Sequence, residues 1–155
     1  MSKIIEFHGW RFQSDPDRTR TAYSESTSRG ALDCSCSYCR NWIAQRDKEY
    51  PTELRNFFEL VGIDPHKEAE VWEAGPIEGG YFHNGGWWHF IADVEVEGES
   101  NIRLNAESFG RAREWELLFL PNQKSLKLKT LPESPIVQVE FSVQLPWVLQ
   151  EPHKG

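Results

Sequence analysis

The sequence predicts an α+β domain, with two short helices packed on a mainly antiparallel β-sheet, as a single domain over residues 1–155. Three observations carry this reading. Two windows between residues 38 and 61 have helical character. From Glu68 onward the apolar period shortens, and strand-like segments follow one another at hairpin spacing. A chain of 155 residues is long enough to bury roughly two thirds of its unfolded surface in one core. Helices gathered ahead of hairpin-linked strands imply α+β rather than βαβ winding.

Taken in order, residues 3–12 read as a first strand, rich in Ile and aromatics. Residues 13–30 lose their apolar content to Ser, Thr, Asp and Arg, which predicts a polar loop. Arg18, Arg20 and Arg29 offer it an anion contact, set against a plainly solvated loop. Residues 38–48 form a helix with Trp42 and Ile43 as apolar contacts. The next helix opens at Pro51 or Thr52. Its Leu54, Phe57, Phe58 and Val61 share one face at i, i+3, i+4 and i+7, and Gly62 is placed to end it. Asp64-Pro65 supplies a cap and a first-turn proline for at most one further turn.

Asn84-Gly85 is a hairpin signal, because both central positions of a type I′ turn take φ > 0. Such a turn sets Phe82 against Trp87 and Tyr81 against Trp88, an aromatic hairpin. Its strand continues through Val96 with Asp93, Glu95 and Glu97 on one side. Further strands are expected at 101–105, 113–120, 125–130 and 136–145. In the last, Val137, Val139, Phe141, Val143 and Leu145 alternate with polar residues. Lys127 and Lys129 alternate on the strand before it and are expected to pair with the acidic row on a solvated face. A short flexible tail is expected from about residue 150.

Composition narrows the function classes. The net charge of −7 argues against a nucleic-acid partner, since phosphate neutralisation needs a basic face. Seven Trp and nine Phe suit a core built on large rings. The first residues carry no apolar h-region and no apolar run approaches the ~18 residues of a membrane span. Three cysteines, Cys34, Cys36 and Cys39, make no disulfide framework, so a reducing compartment, the cytoplasm, is expected.

Those cysteines are the one concentrated chemical feature. Three thiols within six residues at a helix start lie where amide groups and the helix dipole stabilise a thiolate. As a zinc site they need a fourth donor, for which His8, His83, His89 or a water are the candidates, ahead of His66 and His153. Two alternatives stay open: a redox dithiol of Cys36 and Cys39, and thiols that act only as small buried hydrophobes. The glycines of residues 75–88 lack a phosphate-loop Lys, but the aromatics Tyr81, Phe82, Trp87 and Trp88 offer a small-molecule cleft. No serine sits in a nucleophile elbow.

The run Cys34-x-Cys36-x-x-Cys39-Arg40-Asn41-Trp42, followed by Leu60-Val61-Gly62-Ile63-Asp64-Pro65 and Gly86-Trp87-Trp88-His89-Phe90, resembles an uncharacterised bacterial family of small cytosolic proteins over about residues 33–92. The resemblance implies a bacterial source and a family-wide cysteine trio, and brings no activity, substrate or catalytic residue. The expected function is therefore a non-enzymatic interaction module with a metal-bound cysteine trio, its protein partner basic in character. A thiol-dependent enzyme or redox sensor using Cys36 and Cys39 is the alternative, and a small-ligand binder on the aromatic hairpin a third.

Overall fold

The computed structural model describes residues 2–108 and 111–153, and of residues 107, 108, 111 and 112 only the backbone. The first apolar stretch is split by His8 and Gly9, both at positive φ. It becomes a hairpin of β1 (Lys3–Phe7) and β2 (Trp10–Ser14). Two expected helices follow as α2 (Ser37–Glu49) and α3 (Thr52–Val61), the latter buried along Leu54, Phe57, Phe58 and Val61 and ended by Gly62 at φ 87°.

The expected loop at 13–30 is corrected. It contains a third helix, α1 (Pro16–Glu25), capped by Asp15, whose side chain accepts from the Arg18 amide. The arginines once open to an anion are engaged locally: Arg18 with Asp15 and Ser134, Arg20 with Asp17, Arg29 with Asp33.

The remaining strands are β3 (Glu70–Ala74), β4 (Tyr81–Val96), β5 (Ile102–Ser108), β6 (Arg111–Pro121) and β7 (Ile136–Pro146). With the hairpin they form one seven-stranded antiparallel sheet in the order β1-β2-β4-β7-β6-β5, with β3 also paired to β4. The α+β class holds, with three α-helices among the described residues in place of two.

The hairpin at Asn84-Gly85 is also corrected. Both residues lie mid-strand in β4, paired on one side with β3 and on the other with β7. The glycines serve close approach: a Cβ on Gly85 would sit 2.1 Å from the Trp72 indole, and one on Gly86 2.1 Å from the Glu70 carbonyl oxygen. A cross-strand ring laid over glycine satisfies the sheet where a turn signal reads otherwise.

β4 explains why the polar α1 is ordered. Between its pairing with β3 and with β2, its edge near residues 89–91 has no strand partner among the described residues, and α1 fills the gap. The Tyr23 hydroxyl accepts from the His89 amide (3.2 Å) and donates to the His89 carbonyl (2.8 Å). Thr19 Oγ1 accepts from the Ile91 amide (3.0 Å), and the Asp15 amide donates to the Ile91 carbonyl (3.0 Å). Orphaned sheet-edge groups are costly, so this polar helix is held by the backbone it satisfies.

The core is aromatic. Trp42 stacks on Phe141 (4.9 Å), Phe58 meets Trp88 (4.8 Å), and Phe57 packs among Phe12, Phe90 and Phe119. On β4, Trp88 and Phe90 take part in this layer while Trp87 and His89 point to the opposite face, as strand alternation requires. The aromatics therefore line no common hairpin cleft. Residues 125–130 are turn and coil rather than a strand. Lys127 turns to the Leu131 carbonyl and Glu133, and Glu95 pairs with Arg11, so the expected lysine–acid face does not form. Of the tail expected from about residue 150, Glu151 and His153 are anchored to the body, and its last two residues lie outside those described.

Candidate metal centre

The three cysteines converge. Cys34 ends the 3-10 turn of Gly30–Asp33, Cys36 is the N-cap of α2, and Cys39 lies in its first turn. Their Sγ atoms all lie within 4.8 Å of one another, with Cys34 and Cys36 at 3.1 Å. Cys34 and Cys36 are exposed, Cys39 is buried, and none forms a disulfide. Thiolates on a tetrahedral ion with Zn–S of about 2.3 Å stand roughly 3.8 Å apart, so the trio needs sub-ångström adjustment to hold one.

Electrostatics separates the thiols. Burial alone would raise Cys36, but hydrogen bonds from the Cys34 thiol, the Cys39 amide and thiol and the Tyr38 amide outweigh it and lower its pKa. Cys39 is pushed well above the usual thiol range, by burial first and then by its two neighbouring sulfurs. One anion is thus favoured at the helix N-cap, while the buried thiol gives up its proton only to a strong acceptor or a metal.

A buried ion pair positions the loop that carries Cys34. Glu68, with its side chain fully enclosed, accepts from Arg46 Nη1 (2.7 Å), Trp42 Nε1 (2.5 Å) and the Ala31 amide (3.0 Å). Gly30, at φ 61°, runs so close that a Cβ there would sit 2.2 Å from Glu68 Oε1. Sequence reading missed Glu68 because an acidic residue between segments reads as surface. Arg40 closes the other side, donating to the Ser35 carbonyl and bidentately to Glu151 at 2.7 and 2.8 Å.

None of the three expected histidine ligands joins the sulfurs. His8 binds Glu53. His83 lies beside Trp72, 5.2 Å between ring centroids, and borders a different cavity with Tyr81 and Glu116. His89 is buried against Gln138 Oε1 at 2.9 Å, and desolvation lowers its pKa to about 4. His66 pairs with Asp47 at 2.6 Å. His153, carried back by the tail, stacks on Tyr38 with centroids 5.0 Å apart, and its Nε2 lies 3.1 Å from Glu73 Oε2.

No protein-family model, curated protein or solved structure matches the chain. Among the described residues no helix is long and apolar enough to cross a membrane.

Proposed function

We propose that this chain is a non-enzymatic, cytoplasmic interaction domain in which Cys34, Cys36 and Cys39 hold a zinc ion that fixes the loop-to-helix junction. The observation that carries the reading is the convergence of three sulfurs within 4.8 Å at a helix start. Soft thiolate donors suit Zn²⁺, which is redox-inert and tetrahedral, and metal binding to such a site is itself folding energy. The net charge of −7 suits a basic protein partner, because complementary fields steer association. Elemental analysis of protein purified without chelator tests the metal: about one equivalent of zinc is expected. Cys36→Ser should release it and lower stability by several kcal/mol. Less than about a tenth of an equivalent in the untouched protein overturns the reading, since structural sites bind too tightly to empty in handling.

A second reading draws on one observation, the 3.1 Å separation of Cys34 from Cys36, whose own pKa is lowered by the hydrogen bonds it accepts. It makes the trio a redox sensor in which the Cys36 thiolate attacks a partner disulfide and expels one partner thiolate, and Cys34 then resolves the mixed disulfide, leaving Cys34–Cys36 oxidised and the partner reduced. Metal-free protein whose dithiol titrates near the cytosolic glutathione poise favours this reading over zinc.

A further inference from the structure

Three sulfurs leave one tetrahedral position open, and the cavity beside them contains a candidate donor from another part of the chain. This cavity, about 170 Å³, is bordered by the three cysteines and by Glu68, Glu70 and Glu73. The three acids differ in what they already bind. Glu68 spends both oxygens on Arg46, Trp42 and Ala31. Glu70 Oε1 accepts from the Val71 amide at 2.9 Å. Glu73 has a side chain only 4% exposed, and its Oε1 is buried with no hydrogen-bond partner among the described residues. Its cross-strand neighbour on β4, Asn84, likewise has a buried and unpartnered Oδ1. Neither oxygen can satisfy the other, since both only accept, and an idle buried carboxylate oxygen is costly. What Glu73 Oε1 lacks is a donor or a cation.

We infer that Glu73 supplies the fourth ligand of the metal held by Cys34, Cys36 and Cys39, and that its coordination couples the metal to docking of the C-terminal segment. This inference rests on the zinc reading above. The Glu73 oxygens stand outside the 4.8 Å group of sulfurs, so binding takes a side-chain rotation across the cavity to a Zn–O distance of about 2.0–2.2 Å. With Oε1 on the ion, Oε2 is left to pair with His153, which follows the rotation as the outer partner that orients a ligating carboxylate. His153 in turn packs on Tyr38, Phe82 and Trp147. The same segment is tied to the first turns of α2: the Val148 amide donates to Asn41 Oδ1 (2.8 Å), and Arg40 grips Glu151.

Zinc competition against a chromophoric chelator tests the assignment. Glu73→Gln should weaken zinc binding at least tenfold, while Glu70→Gln, altering an acid of the same cavity, should stay within twofold of the parent. Amide hydrogen exchange in residues 147–153 should slow on adding zinc to the parent protein and not to Glu73→Gln. Equal zinc affinity of the parent and Glu73→Gln overturns the assignment and leaves the cysteine site standing. A loss produced by His153→Ala and not by Glu73→Gln gives the position to His153 and overturns it as well. A parent that takes up no zinc at all overturns the cysteine reading itself, a separate result. Should Glu73→Gln fail to fold, the parent decides: zinc X-ray absorption should show three sulfurs and one oxygen and a carboxylate infrared band should shift on zinc binding, whereas an imidazole signature, or the oxygen without a carboxylate shift (a bound water), refutes Glu73.

Discussion

Replacing Glu68 with Ala is the most informative perturbation of the site's foundations. The carboxylate it removes serves three donors at once, and the Arg46 side chain left behind is 5% exposed, with its Nε already unpartnered. Breaking a buried ion pair from one side costs about 3–5 kcal/mol, because the surviving charge stays buried. Orphaning Trp42 Nε1 and the Ala31 amide adds on the order of 1 kcal/mol each, though the losses overlap and do not sum. A net loss of about 4–5 kcal/mol is expected, a large share of the ~5–15 kcal/mol available to a domain. For a chain of 155 residues this lowers Tm by roughly 8–20 °C, at about 2–4 °C per kcal/mol. Urea unfolding followed by tryptophan fluorescence measures it, in a cycle of Glu68→Ala, Arg46→Met and the double variant Arg46→Met/Glu68→Ala. The double variant should recover the share of the loss due to the stranded Arg46 charge, while Trp42 Nε1 and the Ala31 amide stay orphaned. Glu68→Ala within about 1 kcal/mol of the parent, or a cycle that is simply additive, would refute the claim that this pair organises the loop.

Two further outcomes follow from protonation. In metal-free protein, Cys36 should be the first thiol alkylated, at a pH below the ordinary thiol midpoint, and Cys39 the last, as mass spectrometry of a pH series will read; Cys39 reacting first would contradict the hydrogen-bond assignment. His89 is held neutral by burial, with its pKa lowered from 6.5 to about 4. The unfolded chain therefore binds a proton there that the native state refuses, and stability falls as pH drops from about 6.5 to about 4, by about 3 kcal/mol at most. His89→Gln should flatten that slope relative to the parent, and an unchanged slope would show that His89 is protonated in the fold.

The parts of the fold that were legible share one property: their signal lies in apolar contrast. α3 shows its buried stripe at helical spacing, and β7 alternates cleanly, so both were readable from residue type alone. α1 lacks that contrast. Its inward face is Pro16, Thr19, Ala22 and Tyr23, and it is held largely by hydrogen bonds to an unpaired strand edge, a demand no local window contains. The Asp15-Pro16-Asp17 start was a usable signal, although the same Asp-Pro pair at 64–65 yields only a turn. Asn84-Gly85 misled for the converse reason. The dipeptide favours a turn locally, but Trp72, contributed by a strand that periodicity did not mark, needs the space those glycines leave.

The same contrast divides the candidate site. Three thiols adjacent in sequence at a helix start must come together, because the chain between them is too short to separate them, and this half was legible. The groups that frame them are polar, distant in sequence and buried: Glu68, Arg46 and Glu73. Residue type places such groups on the surface, and only the pairing of β3 with β4 brings Glu73 to the cavity that holds the sulfurs. The three histidines set against the trio as ligands by residue type alone, His8, His83 and His89, are each engaged elsewhere, as is His66. The fifth, His153, reaches the site as a partner of the carboxylate. The metal site we propose is half a local motif and half a tertiary accident of which strand lies opposite. The search for its missing ligand therefore belongs among buried acceptors without partners, where desolvation makes an unused oxygen too costly to be idle.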